Sequence, residues 1–116
     1  MPVGADKLWL DTIKAVGIAV PEKGIESEKK RKKSSYEKAK KIAQEELRNI
    51  VMGLTLADKQ LVRDIVLKDK RLEKKLEKVI KKSEVIEINW TKENGCIVRV
   101  QTRKSRLKKK MGLIFK

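Results

Sequence analysis

Cys96 is the single thiol of the chain, and a catalytic thiolate needs a base beside it. With no histidine present, the nearest candidate bases are lysines, so Cys96 reads instead as a small residue on the inner face of a strand. Two carboxylate pairs invite acid and base roles. Glu45 and Glu46 are adjacent, so on a helix they point about 100° apart and do not converge. Asp58 and Asp64 read as capping and surface-pairing residues. The six glycines are isolated, and none stands in a strand-to-helix phosphate loop. A zinc site, a disulfide framework and a histidine-based catalytic centre all lack their materials. The expectation is a chain with no enzymatic activity, no cofactor and no metal.

What remains is charge. Of 116 residues, 31 are Lys or Arg and 16 are Asp or Glu, for a net charge of +15. Such a chain is drawn to any polyanion through counterion release, whether nucleic acid, lipid head group or anionic polysaccharide. Two runs concentrate the charge as candidate contacts: Lys29, Lys30, Arg31, Lys32 and Lys33, then Arg103, Lys104, Arg106, Lys108, Lys109 and Lys110. The plainer reading of each is an exposed, solubilising stretch. The second run precedes an apolar end, Met111 to Phe115, suited to docking on the core, adding an edge strand or meeting a membrane surface. Between Lys68 and Lys82, eight basic and three acidic residues surround Leu72, Leu76, Val79 and Ile80. That stretch reads as a solvated helix face, with Glu77 and Lys81 four apart, in the manner of proteins from hot environments. Single-strand nucleic-acid binders interleave aromatics for stacking, and this chain has only Trp9, Tyr36, Trp90 and Phe115. Nucleic acid is thus the weaker of the polyanion readings. Trp90 reads as a core residue, and Trp9 as partly buried against the sheet edge or a partner.

The elements that must position these groups follow from periodicity. Thr12 to Val20 alternates as a strand, with Val16, Ile18 and Val20 on one face and Ala15, Gly17 and Ala19 on the other. The second face has almost no side-chain height, so a helix can approach its backbone closely, and Pro21 ends the strand. Helix begins within the polar stretch Pro21 to Ser35. From Tyr36, the positions Ala39, Ala43, Leu47, Ile50 and Leu54 form an apolar stripe, with Gly53 marking the end. Thr55 to Asp58 has the form of a capping box before a second helical region, whose apolar positions run from Leu61 and Ile65 to Ile80. Asp69 can cap a separate final helix, with a break near Leu67 to Lys70. Glu84 to Trp90 and Cys96 to Thr102 are strands of a hairpin. A three-residue loop, Glu93 to Gly95 with Gly95 left-handed, sets Trp90 opposite Val98 and aligns the row Ile86, Ile88, Trp90 with the row Cys96, Val98, Val100.

This order, with its small-residue first strand, resembles the twenty-kilodalton bacterial outer-membrane lipoproteins and related domains of flagellar outer-membrane ring and basal-disk proteins. Ala15 to Pro21 is similar to that family's first strand and its exit. Tyr36, Ala39, Ala43, Leu47 and Ile50 resemble its Ala-rich helix, and Glu84 to Trp90, Asn94, Gly95 and Ile97 to Val100 its final hairpin. The resemblance spans roughly Leu8 to Gln101 and implies an exported, non-enzymatic α+β module with a surface, adhesive or assembly role, its helices on one side of a small antiparallel sheet in a dodecin-like arrangement. The chain departs from the family pattern in its lysine content and in the absence of a signal segment with a lipid-bearing cysteine, since Cys96 lies in a hairpin strand.

The expected architecture is therefore α+β: a small antiparallel sheet of the first strand plus the C-terminal hairpin, packed against two or three helices. Length predicts a single domain over residues 1–116, with a core of about 8–102 and a basic tail over 103–116. No apolar run approaches the ~20 residues of a bilayer span, and Met1 to Leu10 lacks a signal-segment pattern. The expected location is periplasm or outer membrane if an export signal precedes this numbering, and cytoplasm otherwise. Open sheet edges predict self-association. The leading expectation of function is an envelope interaction and assembly module, possible also at an anionic membrane or polysaccharide surface; the alternatives are a basic nucleic-acid or polyanion binder and an intracellular protein whose lysines only solubilise it.

Overall fold

The computed structural model describes residues 11–115. Trp9 lies outside them. Three strands, β1 (Thr12–Ala19), β2 (Glu84–Trp90) and β3 (Cys96–Arg103), form one antiparallel sheet in the order β1-β3-β2. Four helices accompany it: α1 (Glu28–Met52), α2 (Val62–Val66), α3 (Lys70–Lys81) and α4 (Lys104–Met111). The α+β class read from the sequence is the observed one. Contacts gather the chain into a sheet unit, Lys14–Leu47 with Glu84–Gln101, and a helical unit of 11–13, Arg48–Ser83 and 102–115.

In the sheet unit the small face of β1 meets α1. A Cβ built on Gly17 would lie 2.5 Å from the Ala43 amide nitrogen and closer still to the Ala39 carbonyl oxygen, so only glycine admits the helix at this height. Ala15, Ala39, Ala43 and Leu47 are buried along this contact, while Ile18 on the opposite face of β1 is 61% exposed. The stripe of α1 continues at Val51, four residues beyond Leu47, and Val51 is buried where Ile50 is only half-buried. The helix starts at Glu28, where the Lys30 amide donates to the Ser27 hydroxyl at 3.4 Å, and the basic run Lys29 to Lys33 occupies its first turns.

The hairpin corrects the expected register by one pair. Trp90 stands opposite Cys96 and Ile88 opposite Val98, with the Thr91 amide donating to the Gly95 carbonyl at 2.8 Å. The loop is Lys92–Asn94, and Glu93 and Asn94, not Gly95, take the left-handed conformation, at φ 60° and 66°. Gly95 has φ −72° and is needed for space: a Cβ there would strike Thr91 Oγ1. The slip of two residues preserves side-chain parity, so Ile88 and Trp90 still share a face with Val98 and Cys96, but a register shift between Val85 and Glu87 sets Val85, in place of Ile86, opposite Val100. Ser35, buried on α1, donates its hydroxyl to the Asn94 carbonyl at 2.6 Å and ties the hairpin tip to the helix. Trp90, expected in the core, is 48% exposed. β2 is an edge strand, so its row Ile86, Ile88 and Trp90 has a sheet neighbour on one side only, while Cys96, Val98 and Val100 of the central strand are buried.

In the helical unit the expected capping box at Thr55 is replaced by a tight turn. Thr55 bridges Leu61, the Leu56 amide donates to the Gln60 carbonyl, and Asp58 accepts from the Gln60 amide at 3.1 Å. An Asx-type turn satisfies the same aspartate that a helix start would have used. The helix itself starts at α2, where Asp64 accepts from the Leu61 amide at 3.3 Å. Asp69 caps α3 as its position suggested, accepting from the Arg71 amide at 2.9 Å. The basic stretch over 103–110 is not a tail: it leaves β3 directly into α4, whose Leu107 and Met111 are buried. Gly112 ends α4 at φ 71°, a left-handed position, and beyond it Leu113 is buried while Phe115 bridges Leu56.

Candidate functional site

The Arg103 to Lys110 run becomes informative once α4 is folded. Burial of Leu107 and Met111 four apart turns one stripe of the helix inward and leaves its cations on the others. Lys75, Lys78 and Lys82, from α3 and the residue that caps its C-terminus, meet Arg106 and Lys110 of α4 across a groove of about 400 Å³. Val79, 4% exposed, is its sixth lining residue.

The groove is held open as a cationic trough by its surroundings. Arg106 donates through Nη1 to the Lys82 carbonyl at 3.4 Å, which places a guanidinium at the C-terminal end of α3. Glu77, expected to pair with Lys81, instead accepts from Arg48 Nε of α1 at 2.7 Å. Reach decides this: Arg48 offers a planar donor to a carboxylate that Lys81 would meet only as a solvated surface pair. Among the described residues, none of the five groove cations has a carboxylate within ion-pair distance. Their fields therefore add over a span comparable with the ~8 Å screening length at physiological salt. At the start of α4, Asp11 accepts from both the amide and the hydroxyl of Ser105, at 3.1 and 2.9 Å, so the nearby acid is spent on the helix terminus.

The other candidate cations have different places. Arg31 donates through Nη1 to the carbonyls of Ile25 and Glu26, Lys32 pairs with Glu28 at 3.8 Å and stands 5.6 Å from the centre of the Trp90 ring, and Lys29, Lys30 and Lys33 are exposed. Lys104 lies 5.9 Å from the centre of the Phe115 ring, and Arg103, Lys108 and Lys109 are exposed outside the groove lining. Of the residues named from sequence, the groove thus collects Arg106 and Lys110. It adds Lys75, Lys78 and Lys82, which charge counting had assigned to a solvated face; the available signal was their i, i+3, i+7 spacing around Val79.

Cys96 is fully buried, and burial pushes its thiol pKa up, which keeps it protonated and poorly nucleophilic. Among the described residues no cluster of His, Cys, Asp or Glu is arranged to hold a metal ion, and no helix is long and apolar enough to cross a membrane. Compared with known proteins, the chain matches no family model, no curated protein and no solved structure.

Proposed function

We propose that this chain is a non-enzymatic interaction module that binds an anionic polymer through the groove between α3 and α4. One observation carries the reading: five cations converge on a single concavity, and among the described residues no carboxylate pairs with them. Like charges held together in this way oppose folding, and a polyanion relieves the repulsion while releasing its own counterions. The net charge of +15 adds long-range attraction. The test is a titration of labelled duplex DNA, single-stranded DNA, heparin and anionic vesicles with the full chain at about 150 mM salt. Saturable binding to at least one is expected; none with any of the four ends the proposal.

A second reading, the bacterial envelope module, is favoured by the close seat of Gly17 on Ala39 and Ala43, because those residues carry the resemblance to the outer-membrane lipoproteins. An envelope location and self-association through the sheet edges belong to this reading. Its check is the coding sequence upstream of Met1: a signal segment with a lipidation cysteine supports it, and an untranslated region there removes it.

A further inference from the structure

We infer that the groove grips the phosphodiester backbone of a nucleic-acid duplex, without reading its bases. The inference rests on the polyanion reading and narrows its ligand. Lys75, Lys78 and Lys82 follow one another at i, i+3 and i+7, so at about 1.5 Å per residue they form a file of roughly 10 Å along α3. Arg106 and Lys110, four apart, form a second file of about 6 Å along α4. Both files line the same trough, so a charged strand lying in it meets cations from either wall. One strand of a duplex carries a charge about every 3.4 Å of its axis, which sets roughly three phosphates along the longer file.

The floor of the groove decides between kinds of nucleic acid. Among the described residues its one uncharged lining residue is Val79, and none of the lining side chains carries an aromatic ring. Single-strand binders gain much of their affinity from bases stacked on such rings, so a groove without them is suited to phosphates alone. A duplex hides its bases and presents phosphate at the higher charge density, releasing more counterion per contact. Arg106 adds a planar fork suited to a phosphate, already aimed by its bond to the Lys82 carbonyl.

The test compares two variants of equal net charge with the unaltered chain. One carries Lys75→Gln, Lys78→Gln, Lys82→Gln, Arg106→Gln and Lys110→Gln. The other carries Lys23→Gln, Lys41→Gln, Lys59→Gln, Lys68→Gln and Lys92→Gln at exposed positions outside the groove. Affinity for a random-sequence duplex is measured between about 50 and 200 mM salt, beside single-stranded DNA and a heparin oligosaccharide. For the groove variant, the slope of log affinity against log salt is expected to flatten by about four, with affinity near physiological salt falling 100-fold or more. The exposed-site variant is expected to lose less than 10-fold. Melting temperature separates binding from folding, because relieving like-charge repulsion should leave the groove variant at least as stable as the parent. Equal losses in the two variants, or groove-dependent binding that is tighter to single strands or heparin than to duplex, overturns the inference and leaves the polyanion reading standing. Failure of the unaltered chain to bind any polyanion removes both.

Discussion

Two basic runs of similar composition behave differently in this molecule. In the run Lys29 to Lys33, Arg31 bonds carbonyls just ahead of its helix, Lys32 is shared between Glu28 and the Trp90 ring, and the remaining lysines point to solvent. The run Arg103 to Lys110 folds as α4 and buries Leu107 and Met111, and its Arg106 and Lys110 face three lysines of another element. Local density of charge is the same kind of signal in both. What differs is whether a second element delivers cations to the same place, and that depends on which residues the helix buries. The sheet unit and the helical unit divide along this line: the first is organised by a backbone contact too close for any side chain, the second by an amphipathic helix whose burial builds a charged trough.

The largest expected effect tests the first half of that comparison. Gly17→Val puts side-chain carbon into the Ala39 carbonyl and the Ala43 amide, backbone atoms that cannot rotate away. We expect a loss of more than about 3 kcal/mol in chemical denaturation, at the upper end for overpacked cores. A loss below about 1 kcal/mol would mean that α1 shifts freely over β1, and the close seat would cease to distinguish the sheet unit.

Leu107→Ala probes the second half without touching a charge. Leu107 is fully buried on α4, and its truncation should cost about 3 kcal/mol through lost contact and a residual cavity. Because Arg106 is its neighbour and Lys110 lies one turn on, duplex affinity should fall as temperature rises toward the lowered melting point and recover on cooling. Affinity that stays constant through the melt would show binding by unfolded basic chain, and the trough would be irrelevant to it.

Much of the fold was legible because it rests on short-range pattern. Alternation in β1, the Ala39, Ala43, Leu47 stripe and the cap at Asp69 each depend on residues close in sequence, and all three stand where the spacing places them. The hairpin shows the limit. Parity is set by alternation, but the loop is set by Glu93 and Asn94 accepting left-handed backbone and by Thr91 crowding Gly95, which residue type alone did not disclose. Trp90 was misplaced for a related reason, since strand order in the sheet decides which apolar row is covered. The groove was legible only by halves. Arg106 and Lys110 stand out as part of a run, but their meeting with Lys75, Lys78 and Lys82 is a tertiary fact, and so is the removal of Glu77 by Arg48.

Asp69 sharpens the comparison at its finest grain, by asking whether the trough needs the whole of α3 or only its C-terminal half. The carboxylate accepts from the Arg71 amide at 2.9 Å and places a negative charge at the positive end of the helix. Asp69→Ala should therefore cost about 1 kcal/mol, seen as a melting point lower by roughly 4 °C. The first groove residue, Lys75, lies more than one turn beyond the cap, and Leu76, Val79 and Ile80 bury the turns that follow. Fraying of the first turn should stop before it reaches them, so duplex affinity measured well below the melt should be unchanged, or slightly higher for the loss of one negative charge. A tenfold drop that Asp69→Asn restores would place the cap among the residues that position the groove, and the register of α3 would then depend on its start rather than on its buried end.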